Sequence, residues 1–300
     1  MNSYPSRPRR LRAWPLILSC ALALCMASLA QADGVPKRLV STAPSITETL
    51  FALGLGDRVV GVSEYCRYPP EAARKPRIGS YLAPNAEVIL AMRPDVVFVE
   101  EVNARAASTL PEVGFKRVLL RHRSIADIYQ SIEKIADAAG EPARGTRLIA
   151  EIRRELAAIE ARTSKLPKRR VLFLVGRTPG TLQGMVAVGH GTYINELIRI
   201  AGGVNAVEDA GPAYPNVSLE VILGRNPEVI IDRGDMSQAE KQNAAHEAEV
   251  RKLWQSLPSV EAVKQHRVHA VSDDFWVVPG PRVVDAALAL EKLLHPEARR

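Results

Sequence analysis

The sequence has few cysteines and few aromatic residues: three cysteines, and 5% phenylalanine, tryptophan and tyrosine, in 300 residues. Two of the cysteines, Cys20 and Cys25, fall in an apolar run near the N-terminus that we interpret as a leader. Cys66 is then the single cysteine of the mature chain, which excludes an internal disulfide. The core must therefore be built from apolar residues, which make up 47% of the chain.

Acidic residues are absent from the first 32 positions. Basic residues between positions 7 and 12 precede an apolar run at 16–29, and Ala30-Gln31-Ala32 has the small-x-small pattern of a signal-peptidase site. The run is too short to span a bilayer. These features predict a cleavable signal peptide at residues 1–32. A lipoprotein leader that uses Cys20 is an alternative, although the leucine two positions before this cysteine is unusual for one.

The formal net charge of +7 does not indicate a nucleic-acid-binding protein. Four of the 40 basic residues lie in the predicted signal peptide. The mature chain therefore has 36 basic and 33 acidic residues. This small excess gives the mature chain no basic footprint for a nucleic acid.

Motifs of common enzyme classes are also missing. The chain has no G-x-S-x-G nucleophile elbow, no phosphate loop that ends in G-K-[ST] and no H-E-x-x-H zinc motif, and its six histidines are scattered. We therefore expect no catalytic activity, no metal site and no resident cofactor. An alternative of another class is an exported metal-dependent hydrolase that uses Asp273 and Asp274.

Strand and helix patterns alternate along the chain, which indicates parallel sheets with both faces covered. The predicted strands lie at 38–41, 59–62, 95–99, 170–175 and 228–231. Predicted helices follow Ser45 or Thr47, Asn85 and Ser218 as N-caps, and two more cover 193–200 and 283–294.

A single long helix is predicted from Pro142 to about Thr163, because apolar residues recur there at steps of three and four. Proline suits the first turn of a helix. At 1.5 Å per residue this helix spans about 30 Å, the width of a small domain. We interpret it as a strut between two lobes, with an N-terminal lobe at 33–141, the connecting helix at 142–166 and a C-terminal lobe at 167–300.

An internal repeat supports two lobes of one plan. Glu87-Val88-Ile89-Leu90 followed by Pro94-Asp95-Val96-Val97 matches Glu220-Val221-Ile222-Leu223 followed by Pro227-Glu228-Val229-Ile230, at a constant offset of 133 without a gap. Self-similarity at a fixed offset indicates two units with the same fold.

Most of the scarce aromatic residues fall in loops beyond the predicted strand ends, where open parallel sheets bind ligands. With two lobes side by side, these loops would form one cleft for a bulky, partly apolar ligand. Cys66 lies in one of the loops, either as a buried inert thiol or as an axial ligand to a cofactor metal. The loop aromatics are Tyr65, Tyr68, Tyr81, Tyr214, Phe275 and Trp276.

Three segments resemble the helical-backbone class of substrate-binding proteins of ABC importers, which take up iron–siderophores, haem and vitamin B12. The segments are RLVSTAPSITE at 38–48, VGVSEYCRYPP at 60–70 and GHGTYINEL at 189–197. The resemblance covers about residues 38–294 and is nearest to the branch that binds vitamin B12, or cobalamin. It implies two Rossmann-like α/β lobes with parallel central sheets, joined by one long backbone helix.

The resemblance also implies roles for particular residues. Glu87 and Glu220, one on each lobe, would dock the protein on an inner-membrane ABC permease that works with an ATPase. The ligand-lining residues would be Pro44, Tyr65, Tyr81, Tyr214 and Trp276. The class implies a periplasmic monomer whose ligand is a corrinoid.

Two other ligands of the same class remain open. The best-known B12 binder has tryptophan at the positions of Tyr81 and Tyr214, and a tyrosine phenol can also ligate ferric haem. A ferric siderophore would require several basic residues in the cleft loops, for which Arg67, Arg177 and Arg282 are the candidates.

Overall fold

The computed structural model describes residues 34–101, 114–234 and 244–299. Its first sheet contains four parallel strands in the order β2-β1-β3-β4. Strands β1 and β3 are buried along their whole length, as expected for strands covered on both faces. The strands are β1 (Leu39–Ser41), β2 (Val59–Val62), β3 (Val96–Glu100) and β4 (Lys116–Leu120).

Three α-helices are described in this lobe: α1 (Pro44–Ala52), α2 (Ala86–Ala91) and α3 (Ile125–Ala138). Short 3-10 helices lie at Gly56–Arg58 and Ala72–Arg74. The predicted side-chain cap of α1 by Ser45 or Thr47 is wrong, because proline begins the helix and its N-cap, Ala43, makes no side-chain cap bond. The two hydroxyls bind Glu100 and Cys66 instead.

Helix α4 (Pro142–Thr163) has the predicted bounds. One end of the helix is hydrogen-bonded to the first lobe and the other end to the second lobe. Near its N-terminus, Arg144 donates to the carbonyl of Leu53 at 2.9 Å. Near its C-terminus, Arg162 makes a bidentate pair with Glu291 of α9 (Val283–Leu294), with both N–O distances at 2.8 Å. The helix therefore connects two lobes, while the residues at which each lobe begins and ends remain our proposal.

The second sheet has the order β10-β9-β5-β6-β8, and β7 also pairs with β5. Strands β7, β9 and β10 run parallel in this sheet with β5, but β6 is antiparallel to β5 and to β8. The sequence pattern did not predict this antiparallel edge. The strands are β5 (Arg169–Gly176), β6 (Met185–Ala187), β7 (Gly203–Asn205), β8 (Asn216–Val217), β9 (Val229–Asp232) and β10 (Val268–Ala270).

Helices α5 and α9 of this lobe have the predicted bounds. The segment 274–276, predicted as a loop, forms a 3-10 helix, and another lies at 296–299. No helix in the described ranges is long and apolar enough to cross a membrane, and the predicted signal peptide lies outside these ranges. The α-helices are α5 (Tyr193–Ile200), α6 (Leu219–Arg225), α7 (Ala244–Trp254), α8 (Glu261–Lys264) and α9.

The repeat at offset 133 extends to backbone conformation. Asn85 caps α2 and Ser218 caps α6, each by accepting a hydrogen bond from the N–H three residues later. After each helix one residue, Arg93 or Asn226, adopts the left-handed conformation with a φ of 44°. Each helix then leads into a buried parallel strand. The two lobes therefore share a cap–helix–turn–strand unit, position by position.

Candidate ligand-binding site

A cavity of about 610 Å³ lies between the two lobes. The first lobe contributes Tyr81, the end of β3 and the segment that follows β4. The second lobe contributes the start of α5 and the loops around residues 214 and 278. The lining residues are Tyr81, Glu100, Glu101, Leu120, Arg121, His122, Arg123, Gly191, Thr192, Tyr193, Ala213, Tyr214, Val277 and Pro279.

Glu100, at the end of β3, is the buried acid of this cavity. It accepts hydrogen bonds from the hydroxyls of Ser45 and Tyr81, the latter at 2.5 Å, and its Oε1 lies 3.2 Å from Nδ1 of His122. Burial alone would raise the pKa of Glu100, but His122 and the two hydroxyls outweigh it, so this pKa lies below its ordinary value. The carboxylate therefore stays ionised and fixes the Tyr81 phenol.

Of the five predicted lining residues, the cavity brings together Tyr81 and Tyr214. Tyr81 is partly buried and packs against the core, whereas Tyr214 is 46% exposed. Partial desolvation of its phenol end raises the pKa of Tyr214. Both tyrosines therefore present aromatic surface to the cleft, and Tyr214 keeps its phenolic proton near neutral pH.

The other three predicted lining residues lie outside the cavity wall. Tyr65 is 53% exposed, and Pro44 begins α1. Trp276 is buried, 4% exposed, with its ring centroid 5.9 Å from that of Phe173. Their contact with a ligand remains a prediction.

Three consecutive residues of the cavity wall, Arg121, His122 and Arg123, could not be predicted from the sequence pattern. They follow β4, which begins with two basic residues and is only partly buried. Its sequence therefore lacks the apolar pattern of a buried strand. Arg121 pairs with Glu101, and the carbonyl of Arg123 accepts from the N–H of Tyr193 at 2.6 Å. The cleft therefore contains two arginines that its predicted loops did not include, and two acids, Glu100 and Glu101, lie beside them in the wall.

Two of the three arginines that were candidates for siderophore binding have other partners. Arg177 forms a buried pair with Asp232, with Nε 3.0 Å from Oδ2. Arg282 pairs with Glu48 across the two lobes and stacks on Tyr68, 3.9 Å above the ring centroid. Tyr68 and Arg282 line a second cavity beside α4, so neither belongs to the wall of the first.

Cys66 lies in the core rather than in the cleft. Its side chain is fully buried, and its Sγ accepts a hydrogen bond from the Thr47 hydroxyl at 3.0 Å. Burial raises the pKa of the thiol. The structure thus favours the buried, inert thiol over an axial ligand.

The sequence matches the model of the periplasmic binding protein family over residues 39–274. The chain belongs to this family. It is 26% identical over 272 residues to a vitamin B12-binding protein of Vibrio cholerae, with 90% of this chain and 93% of the relative covered. It is 28% identical over 270 residues to YvrC, an uncharacterized ABC transporter substrate-binding lipoprotein of Bacillus subtilis, with coverage of 87% and 81%.

Among solved structures, this periplasmic binding protein resembles the periplasmic heme-binding protein RhuT of Roseiflexus sp. RS-1 in its apo form. The TM-score is 0.73 at 29% identity, with 87% of this chain and 99% of RhuT covered. These relatives are binding proteins rather than enzymes.

Among the described residues, no three histidine, cysteine, aspartate or glutamate side chains form a group that could hold a metal ion.

The two acids predicted to dock on a permease, Glu87 and Glu220, are exposed in the first turns of α2 and α6. The Ser218 hydroxyl and the backbone N–H of Glu220 lower the pKa of Glu220. The two acids occupy equivalent positions of the repeat.

Proposed function

We propose that this binding protein captures cobalamin, or a related corrinoid, in the cavity between its lobes and delivers it to an ABC importer. The observation that carries the proposal is the interlobe cavity itself, with aromatic surface from Tyr81 on one lobe and Tyr214 on the other. A planar macrocycle that enters such a cleft contacts both lobes and buries apolar area on both of its sides.

The protonated state of the Tyr81 and Tyr214 phenols supports a corrinoid as the ligand. The raised pKa of Tyr214 keeps its hydroxyl protonated, and the hydroxyl of Tyr81 donates to Glu100. Neutral phenols offer flat surface and hydrogen bonds to an amide-substituted ring, whereas a phenolate ligand to ferric iron would first have to lose its proton. The vitamin B12-binding relative of Vibrio cholerae, similar along almost its whole length, supports the same ligand.

Haem is the second candidate because of the basic residues after β4. Arg123 and Arg121, of which Arg121 already pairs with Glu101, line the cavity, and guanidinium groups pair well with carboxylates such as those on haem. The similarity to the heme-binding protein RhuT supports this alternative.

A pair of titrations of the mature protein distinguishes the two ligands. We expect calorimetric one-to-one binding of cyanocobalamin and no shift of the Soret band with hemin. No heat from cyanocobalamin, together with a tyrosinate-type hemin spectrum that Tyr65→Phe, Tyr81→Phe or Tyr214→Phe removes, would show that the ligand is haem.

Delivery requires a partner, and we propose that it is an inner-membrane permease with its ATPase, docked through Glu87 and Glu220. Two matched acids suit a two-fold partner that presents two basic sockets. We expect the double variant E87K/E220K to abolish uptake of the ligand by cells while ligand binding in solution stays unchanged.

The matched control for this experiment is E133K/E249K, which reverses two other exposed acids, one on α3 and one on α7. Undiminished uptake by E87K/E220K, or an equal loss in the control, would contradict docking through these positions.

We further propose that the chain is exported to the periplasm after cleavage behind residue 32 and acts there as a monomer.

A further inference from the structure

Tyr193 is a buried polar residue of the cleft that sequence analysis did not select. It is the first residue of α5, lines the cavity and has a side chain that is 3% exposed. Its hydroxyl has no hydrogen-bond partner in the described part of the chain. A buried phenol without such a partner is unfavourable, since it loses hydration without replacement.

The backbone around Tyr193 is fixed from both lobes. Its N–H donates to the carbonyl of Arg123 in the first lobe at 2.6 Å. The preceding residue, Thr192, caps α5 by accepting from the N–H of Asn195 at 3.1 Å, and its hydroxyl donates to the carbonyl of Gly189 at 3.1 Å. The ring belongs to the main hydrophobic core. The ring is therefore held in place beside the cavity, and its hydroxyl is buried there.

The electrostatic surroundings make this hydroxyl a hydrogen-bond donor. Burial, together with nearby Tyr214 and Glu100, raises the pKa of Tyr193 well above its ordinary value, so the phenol keeps its proton. Arg233 is close enough to act on this phenol electrostatically, and its Nε is also buried without a hydrogen-bond partner among the described residues. Two donors near the cleft thus lack an acceptor.

We propose that the Tyr193 hydroxyl is a specificity-determining contact of the cleft, which donates a hydrogen bond to an oxygen acceptor on the edge of the bound macrocycle. The charge of Arg233 favours an electron-rich acceptor in the same region. The acceptor is an amide carbonyl if the ligand is a corrinoid and a carboxylate if it is haem. This inference rests on the proposed function and adds a residue to its site.

The test is the variant Tyr193→Phe in the mature protein, titrated calorimetrically with cyanocobalamin and separately with hemin. We expect the affinity for the macrocycle that wild type binds to fall roughly three- to tenfold, the range of one hydrogen bond. The melting temperature of the ligand-free variant should equal or exceed that of wild type. The matched control is Tyr129→Phe, whose ring lies on α3 beneath Arg153, outside the cavity; its affinity should not change.

The outcomes separate this inference from the proposed function. A weakened response to cyanocobalamin identifies an amide acceptor, and a weakened response to hemin identifies a carboxylate. Unchanged affinity in Tyr193→Phe, while wild type binds, overturns the inference alone. A lower melting temperature of the ligand-free variant also overturns it, because the hydroxyl would then have an internal partner. A wild-type protein that binds neither macrocycle overturns both.

Discussion

At the scale of single residues, the cleft depends on one buried acid. Glu100 joins the end of β3 to α1 through Ser45, to the cavity through Tyr81 and to the segment after β4 through His122. An ionised carboxylate at a buried position requires such partners, since each replaces part of the hydration lost on folding. The hydrogen bond from its hydroxyl to the buried Glu100 carboxylate therefore fixes the position of Tyr81.

We predict that Glu100→Gln lowers the free energy of unfolding at pH 7 by about 1–3 kcal/mol, because the amide carries no charge for His122 and adds a donor in need of an acceptor. The pKa of Glu100 is depressed in the folded protein. Its contribution to stability is therefore present above the unfolded value of about 4.3 and is lost as the pH falls through the folded value. Urea unfolding between pH 7 and pH 3 measures the difference between wild type and variant.

The control for this prediction is Glu101→Gln at the neighbouring acid. Glu101 also has a lowered pKa, chiefly because Arg121 donates to it, but it is exposed to solvent. An exposed pair contributes little to stability, so Glu101→Gln should leave unfolding almost unchanged. If the difference between wild type and Glu100→Gln did not shrink below about pH 4.3, the assignment of the charge to Glu100 would be wrong.

At the scale of elements, the contact between α3 and α4 sets how the strut lies on the first lobe. Gly145 stands in the first turns of α4, where a Cβ atom would lie 2.6 Å from the Cβ of Ala136. Glycine normally weakens a helix, so its presence here reflects the close approach of the two helices. The sequence pattern of α4 alone does not reveal this requirement.

We predict that Gly145→Ala destabilises the protein by about 1–3 kcal/mol, because the gain in helix propensity is outweighed by the steric conflict with Ala136. Gly224→Ala is the matched control: Gly224 lies in the exposed helix α6, and a Cβ there would meet nothing within 4 Å. This substitution should raise stability by up to about 1 kcal/mol. Urea denaturation of both variants decides the point, and equal effects of the two would contradict a close contact between α3 and α4.

Elements with strong local signals could be predicted from the sequence, and elements with weak ones could not. The bounds of α4, α5 and α9 followed from apolar periodicity and from the residues that flank them. Strand β4 was missed because it begins with Lys116 and Arg117 and is only partly buried. Helix α3 was missed although Ser124 and Asp127 form a capping box at its start.

The candidate site was predictable only where its residues stand in loops at strand ends. Tyr81 and Tyr214 were found in this way. Tyr193 was not, because it is the first residue of a helix and reaches the cavity through a contact with the other lobe. Glu100 ends an apolar strand, and only its hydrogen bonds distinguish it from a strand-end surface acid.

At the scale of the whole molecule, the two lobes are joined by more than α4. Glu48 of α1 pairs with Arg282 before α9, and both side chains are largely buried. On the cleft side, the carboxylate of Glu196 in α5 accepts from the N–H of Ile125 at 3.1 Å. These contacts and the strut would all have to change in a large hinge rotation. Since packed interfaces deform little without repacking, such a rotation is unfavourable.

We therefore predict that ligand binding changes the distance between the lobes only slightly. Small-angle X-ray scattering of the mature protein, with and without a saturating macrocycle, should give closely similar scattering curves and radii of gyration. The physical reason is that closure by many degrees would either bend the stiff helix α4 or separate Glu48 from Arg282. The variant Arg282→Met leaves Glu48 buried without its cation, so it should lower stability and increase the change in scattering on binding. A large compaction of the wild-type protein would show instead that the lobes rotate freely about α4, and would contradict a fixed cleft.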